Sequence, residues 1–288
     1  MLKIKAPAKI NLTLEVLGKR PDGYHEIRSV IQTVNFCDSF QFVQGDGIQI
    51  NCDMAGWLPE QSLIAKAVKL LQEATGCNKG ATVEIKKSIP LLSGLGGDSS
   101  DAAAALYGLN QLWKLELSQT KLMEMGSQLG SDVPFFFMGG TALMEGRGEQ
   151  ITPLHPLPHQ WVILIIPGIP MLPGKTKRAY SLLQPSHYTD GKNTEKLITH
   201  LKSGKGFSAA ALFNTFENVS FSRSGELTEY RDHILKIGAQ DIHLAGSGPT
   251  MFTMLEEKSR AEDLLIRLKN QGMEVYLTET CNSLYPVS

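Results

Sequence analysis

Lys87-Ser-Ile-Pro-Leu-Leu-Ser-Gly-Leu-Gly-Gly-Asp-Ser-Ser-Asp-Ala-Ala-Ala-Ala-Leu, residues 87–106, stands between two different backbone patterns. Ahead of it, Ala81, Val83 and Ile85 alternate with Thr82, Glu84 and Lys86, the period of a half-buried strand. Behind its glycines, Ala102 to Leu106, Leu109 and Leu112 make a helical apolar stripe of strong helix formers. A strand, a glycine-rich loop and a helix start together form an anion site. Glycine admits positive φ and close approach, while the helix N-terminus directs free N–H groups and its positive dipole end at the guest. A phosphate is the expected guest. Asp98 reads either as the helix N-cap, with Asp101 beginning the helix favourably, or as a participant in the anion site.

Two familiar phosphate loops do not fit. A P-loop needs Gly-x-x-x-x-Gly-Lys-Ser/Thr, and no lysine follows the glycines at 94–97; a dinucleotide loop needs Gly-x-Gly-x-x-Gly, and here the last position is Ser99. Gly168-Ile-Pro-Met-Leu-Pro-Gly-Lys-Thr looks like a P-loop, but five residues separate its glycines, and Pro170 and Pro173 remove backbone donors. It reads as a loop leading into a helix that carries Tyr180.

The 288 residues, 42% hydrophobic and 20% charged, suffice for one large or two ordinary domains. A net charge of −1 provides no general field for nucleic acid, so any anion must be held by local geometry. The four cysteines, at 37, 52, 77 and 281, have no Cys-x-x-Cys spacing, and no secretory signal is evident. Reduced thiols in a cytoplasmic protein are expected. No apolar run approaches the roughly 20 residues of a membrane span. Neither nucleic acid nor membrane is expected as a partner, and the oligomeric state stays open.

Elsewhere, Ile10, Leu12, Leu14 and Val16 alternate with Lys9, Asn11 and Thr13, so a strand turns its apolar face to a core and leaves the other for a site or for solvent. Lys9 is compatible with either. Arg20-Pro-Asp-Gly-Tyr-His places Tyr24 and His25 directly after a turn, where they either pack over it or face a ligand. Ser62 and Gly76 bound one amphipathic helix, and Ser118 and Gly130 another. Asp132 then caps a turn or serves a site, ahead of an apolar strand at 133–137. Pro153, Pro156 and Pro158 mark a boundary between domains at 1–155 and 156–288. Beyond it, strands at 161–166, 241–245, 250–255 and 273–278 and helices at 175–183, 193–203, 208–217, 225–237 and 257–270 give a β-α-β-β-α-β, ferredoxin-like order.

Pro7-Ala-Lys-Ile-Asn-Leu, the 90–105 loop, Gly130-Ser-Asp-Val-Pro-Phe-Phe and Leu244-Ala-Gly-Ser-Gly-Pro-Thr resemble, in order, the motifs of the GHMP kinases. The loop carries one extra residue before its serines, and Asp98 stands where the family commonly has glycine. Ser62 replaces an asparagine common near adenine. The resemblance implies an α+β, two-domain fold, with an N-terminal domain like the second domain of ribosomal protein S5 and a ferredoxin-like C-terminal domain. It implies ATP and Mg2+ as cofactors, Lys9 and Asp132 as the catalytic pair, and Pro90, Leu91, Leu92, Ser93, Gly94, Leu95, Gly96, Gly97, Asp98, Ser99 and Ser100 as the ATP loop, with Ser100 the candidate for the metal. The Pro-Asp-Gly-Tyr-His piece is similar to that of members phosphorylating the 2-hydroxyl of a small substrate with a cytidine diphosphate group in the non-mevalonate isoprenoid route. On that basis Asn11, Tyr24, His25 and Tyr180 bind the substrate, the two tyrosines closing on cytosine from opposite domains.

Overall fold

A computed structural model describes residues 1–169, 174–204 and 207–282, except the Arg223 side chain. Positions 170–173 of the proline-rich loop and the last six residues of the expected second domain lie outside the described residues. The chain runs β1 (Leu2–Asn11), β2 (Thr13–Lys19), β3 (His25–Gly45), β4 (Ile48–Cys52), α1 (Leu63–Thr75), β5 (Gly80–Lys86), α2 (Gly97–Trp113), α3 (Gln119–Leu129), β6 (Thr141–Gly146) and β7 (Gln150–Pro153). There follow β8 (Trp161–Ile166), α4 (Lys175–Ser181), α5 (Lys192–Lys202), β9 (Phe213–Asn214), α6 (Glu217–Arg223), α7 (Gly225–Ile237), β10 (His243–Leu244), β11 (Met251–Leu255), α8 (Lys258–Asn270) and β12 (Glu274–Glu279).

The long strand β3 is the spine of the first sheet. Its successive parts pair antiparallel with β2, β6, β1 and β5. β1 meets it through a register shift between Pro7 and Ala8, where proline has no N–H to give the ladder. Lys9 and Asn11 follow at once. The second sheet is antiparallel in the order β10-β11-β8-β12, the ferredoxin-like arrangement expected from the sequence. The two sheets are not separate in chain terms: β9 pairs with β2 in parallel, and Val34 bridges to Thr280.

Between α1, α3 and the first sheet lies α2, buried on nearly every side; Ala102 to Leu106, Leu109 and Trp113 are all inaccessible. Small side chains let this helix approach the sheet that also buries Phe40 and Phe42, each such side chain contributing about 1.5–3 kcal/mol. The Ser118 hydroxyl accepts from Lys121 N–H, so the expected cap holds, and Ser62 caps α1 in the same way through Ala65 N–H.

Four expectations need correction. Asp98 is not the cap of α2: Gly96, at φ 75°, holds that position, and Asp98 lies exposed in the first turn. Asp101 does not begin the helix: it is buried beyond the first turn of α2. Residues 134–137 form a short 3-10 helix, because Pro134 pre-sets helical φ at its first position. The helix expected at 208–217 breaks into a 3-10 turn, β9 and the start of α6.

Candidate active site

The loop from Lys87 to Gly96 is fixed from three sides. Lys9 N–H donates to the Leu95 carbonyl at 2.9 Å, tying the loop to β1. Thr250 N–H donates to the Ser93 carbonyl at 3.3 Å from the 244–250 turn. Gly94, at φ 91°, seats directly on that turn: a methyl group there would overlap the Ala245 carbonyl oxygen. A methyl at Gly96 would come within 2.9 Å of both the Lys9 side chain and the Phe136 ring. With Gly96 as cap, the first amides of α2 lack intrahelical partners and are free for an anion.

Behind the loop, Lys87 Nζ bonds Asp38 at 2.5 Å and Asp101 at 2.6 Å, all three side chains sealed from solvent. Asp38 also accepts from Ser88 N–H at 2.5 Å and Ile89 N–H at 2.8 Å. Burial works against the Lys87 charge, but the two carboxylates outweigh it and push the ammonium up to about 12. Burial pushes Asp101 the other way, well above the usual carboxylate range. This network clamps both ends of the loop to β3.

In front of it lies a cavity of about 920 Å³, large enough for two drug-sized ligands side by side. Lys9 Nζ enters its wall 3.6 Å from Asp132 Oδ2 and donates to Asn11 Oδ1 at 2.8 Å. Asn11 in turn donates to Ser29 Oγ at 2.9 Å, so the lysine's direction is set by a buried chain of hydrogen bonds. Pro90, Leu92, Ser93, Gly94, Gly96, Gly97, Asp98 and Ser99 line the same cavity. Leu91, Leu95 and Ser100 do not: Leu95 packs in the core, and the Ser100 hydroxyl lies buried behind the wall without a hydrogen-bond partner.

Asn11, Tyr24, His25 and Tyr180 all reach this cavity. Tyr180 lies against His25, ring centroids 5.0 Å apart, and edge-on to Phe216 at 4.9 Å. Tyr24 stays on the rim, 55% exposed, with the Arg147 guanidinium 4.8 Å over its ring. Burial, then the Asp132 carboxylate, raises the Tyr180 phenol above its ordinary range. Burial, then Lys19, lowers the His25 imidazole, which favours its neutral form.

Polar cavity residues that the sequence reading did not assign to the site include Arg147, Lys175, Thr176 and Ser247. Ser247 hydroxyl donates to Thr176 Oγ1 at 3.4 Å across the second glycine turn. Lys175 and Thr176 close the stretch that failed as a P-loop. Their proximity to a phosphate loop was visible in type but not in place.

The GHMP kinases N terminal domain family matches residues 62–140. A Dehalococcoides mccartyi protein called 4-diphosphocytidyl-2-C-methyl-D-erythritol kinase is 48% identical over 99% of this chain and 100% of its own. A Pelotomaculum thermopropionicum protein of that name is 38% identical, covering 96% of this chain and 97% of its own. A crystal structure of 4-(cytidine 5'-diphospho)-2C-methyl-D-erythritol kinase superposes with a TM-score of 0.83 at 28% identity, over 98% of this chain and 100% of that one. With the glycine loop, the lysine–aspartate pair and the aromatic wall in one cavity, this chain belongs to the 4-diphosphocytidyl-2-C-methyl-D-erythritol kinase family of GHMP kinases.

Proposed function

We infer that this chain transfers the γ-phosphoryl group of ATP to the 2-hydroxyl of 4-diphosphocytidyl-2-C-methyl-D-erythritol, a step in isoprenoid precursor synthesis. The observation that carries the reading is the Lys9–Asp132 pair, 3.6 Å apart beside the mouth of the glycine loop. Asp132 accepts the proton of the 2-hydroxyl as its oxygen attacks the γ-phosphorus, and the bond to the β-phosphate oxygen breaks to release ADP. Lys9, directed by Asn11, offsets charge on the attacking oxygen and the transferring group. The loop residues 90–99 and the free amides of α2 hold the phosphates. Tyr24, His25 and Tyr180 take the cytosine, a flat base that needs stacking walls and a polar reader. In this reading residues 1–155 supply the phosphate loop and catalytic pair, and 156–288 complete the substrate site.

Magnesium that arrives on ATP needs only one or two protein ligands. Among the described residues no group of three or more metal-binding side chains occurs. Asp98 and Ser99 line the wall and would supply a ligand; the Ser100 hydroxyl would have to turn out from behind it. The ion would draw charge from the phosphate oxygens.

Measuring ADP release with the cytidylyl substrate, mevalonate and homoserine tests the proposal. Turnover with the first alone is expected, and preference for either of the others would sink it.

A further inference from the structure

Three lysines surround the phosphate loop, and two are electrically compensated. Lys87 has two carboxylates, and Lys9 has Asp132 and the Asn11 carbonyl. Lys175, which opens α4, is the third. Its ammonium donates to the Leu92 carbonyl at 2.7 Å, and among the described residues no carboxylate forms an ion pair with it. Burial, and then the charge of Lys9, lowers it to about 8. Its acceptor is itself unusual: Leu92 holds a left-handed φ of 56°, rare for leucine, within the loop that faces the cavity. A cation kept half-buried beside another cation, with only a neutral acceptor, is a poor arrangement for an empty site and a good one for a site that receives a polyanion.

We propose that Lys175 is a phosphate-binding residue of the ATP subsite, leaving the Leu92 carbonyl to bind the polyphosphate. This rests on the ATP-dependent reading above. Both ATP and the cytidylyl substrate bring phosphates, but the acceptor Lys175 now uses belongs to the glycine loop, which places the contact on ATP. Binding then restores a full positive charge: the lysine takes up a proton wherever the free protein has lost it. The groups sharing its cavity are Lys9 of β1, Lys19 of β2, Asp22 and Tyr24 of the turn after it, His25 of β3, Asp98 of α2, Asp132 beyond α3, Arg147 beyond β6, and Lys177 and Tyr180 of α4. His25 is shifted down and Tyr180 up, away from the interval between pH 7 and 9.

The test is equilibrium titration of the full chain with ATP alone and with CDP alone, at pH 7 and 9, for wild type, Lys175→Met and Lys175→Arg. Wild type should lose about tenfold in ATP affinity from pH 7 to 9, as linkage requires for a group titrating near 8. Lys175→Met should bind ATP about tenfold more weakly at pH 7 and show no further loss at pH 9. Lys175→Arg should stay within about threefold of wild type at pH 7 and be equally flat, and it carries the test if the methionine variant does not fold. CDP binding should be the same in all three. Unchanged ATP affinity in Lys175→Met, a matching loss for CDP, or persistence of the pH dependence in either variant overturns the proposal. Normal ATP binding without turnover of the cytidylyl substrate would sink the proposed reaction and leave this inference standing; a wild type that binds no ATP would overturn both.

Discussion

Lys9 and Asp132 approach to 3.6 Å from unequal surroundings: the lysine side chain is 6% exposed, the aspartate 34%. The lysine is part of the wall, held by Asn11, and the carboxylate is open to whatever fills the cavity. A buried, directed ammonium suits charge stabilisation, and an accessible carboxylate suits proton transfer.

Asp132→Asn should therefore lower kcat about 100-fold or more while keeping both KM values within about threefold and melting unchanged. Lys9→Ala should lose as much turnover and also about 1–2 kcal/mol of stability, because Asn11 Oδ1 loses its donor in a buried place. Steady-state kinetics with urea unfolding reads both. A kcat within tenfold of wild type for Asp132→Asn removes it from the base role.

Tyr180→Ala and Tyr24→Ala should separate binding from packing. Both should raise KM for the cytidylyl substrate about tenfold, the scale of lost stacking, and spare KM for ATP. Only Tyr180→Ala should also cost stability, since its ring packs on His25 and Phe216 while Tyr24 is rim-exposed. Equal rises in both KM values would withdraw the cytosine assignment.

In the sealed Asp38–Lys87–Asp101 network, charge count decides the outcome of mutation. Lys87→Met leaves two buried carboxylates facing each other and should cost about 3–5 kcal/mol. Asp101→Asn leaves one lysine to one aspartate and should change stability by about 1 kcal/mol or less at neutral pH. Because Asp101 is raised above its usual 3.8, the folded state binds more protons than the unfolded one above that pH. Its contribution is present at low pH and is lost as pH rises through the raised value, a decline that Asp101→Asn should remove. Urea unfolding at pH 5 and pH 8 measures it; a destabilisation by Asp101→Asn as large as that by Lys87→Met contradicts the charge argument.

Lys175 makes a prediction for the ligand-free protein in the opposite direction. Its folded value of about 8 lies below the ordinary 10.5, so the unfolded chain binds the extra proton between these limits and stability should rise with pH across them. Lys175→Met should be more stable than wild type at pH 7 by about 1 kcal/mol or more, while binding ATP less well. A melting temperature equal to or below that of wild type would show that burial of this lysine is not a strain on the fold.

The strand, loop and helix of 80–113 were legible because their signals are local: alternation, glycines, then helix-forming alanines. The partnership of Lys9 with Asp132 was legible only through family motifs, since each residue alone fits a solvated surface equally well. Charged residues mislead most where they are buried. Asp101 reads as a favourable carboxylate at the helix start because its spacing does not announce Lys87 and Asp38 closing around it. The run of phenylalanines after Pro134 has the composition of a buried strand, and the proline's fixed φ overrode it. The two residues of β9 carry no periodicity, so only their tertiary pairing with β2 defines them.

The seating of Gly94 on the Ala245 carbonyl joins two turns that are far apart in the chain into one mechanical part. Neither can be redesigned alone: a side chain at position 94 demands a displaced 245–248 turn, and a moved turn leaves the loop without its backing. A hybrid enzyme spliced at the proline-rich connector of residues 153–158 would draw one half of this seam from each parent. Compatibility across that seam, more than overall identity between the parents, would decide whether such a hybrid still grips ATP.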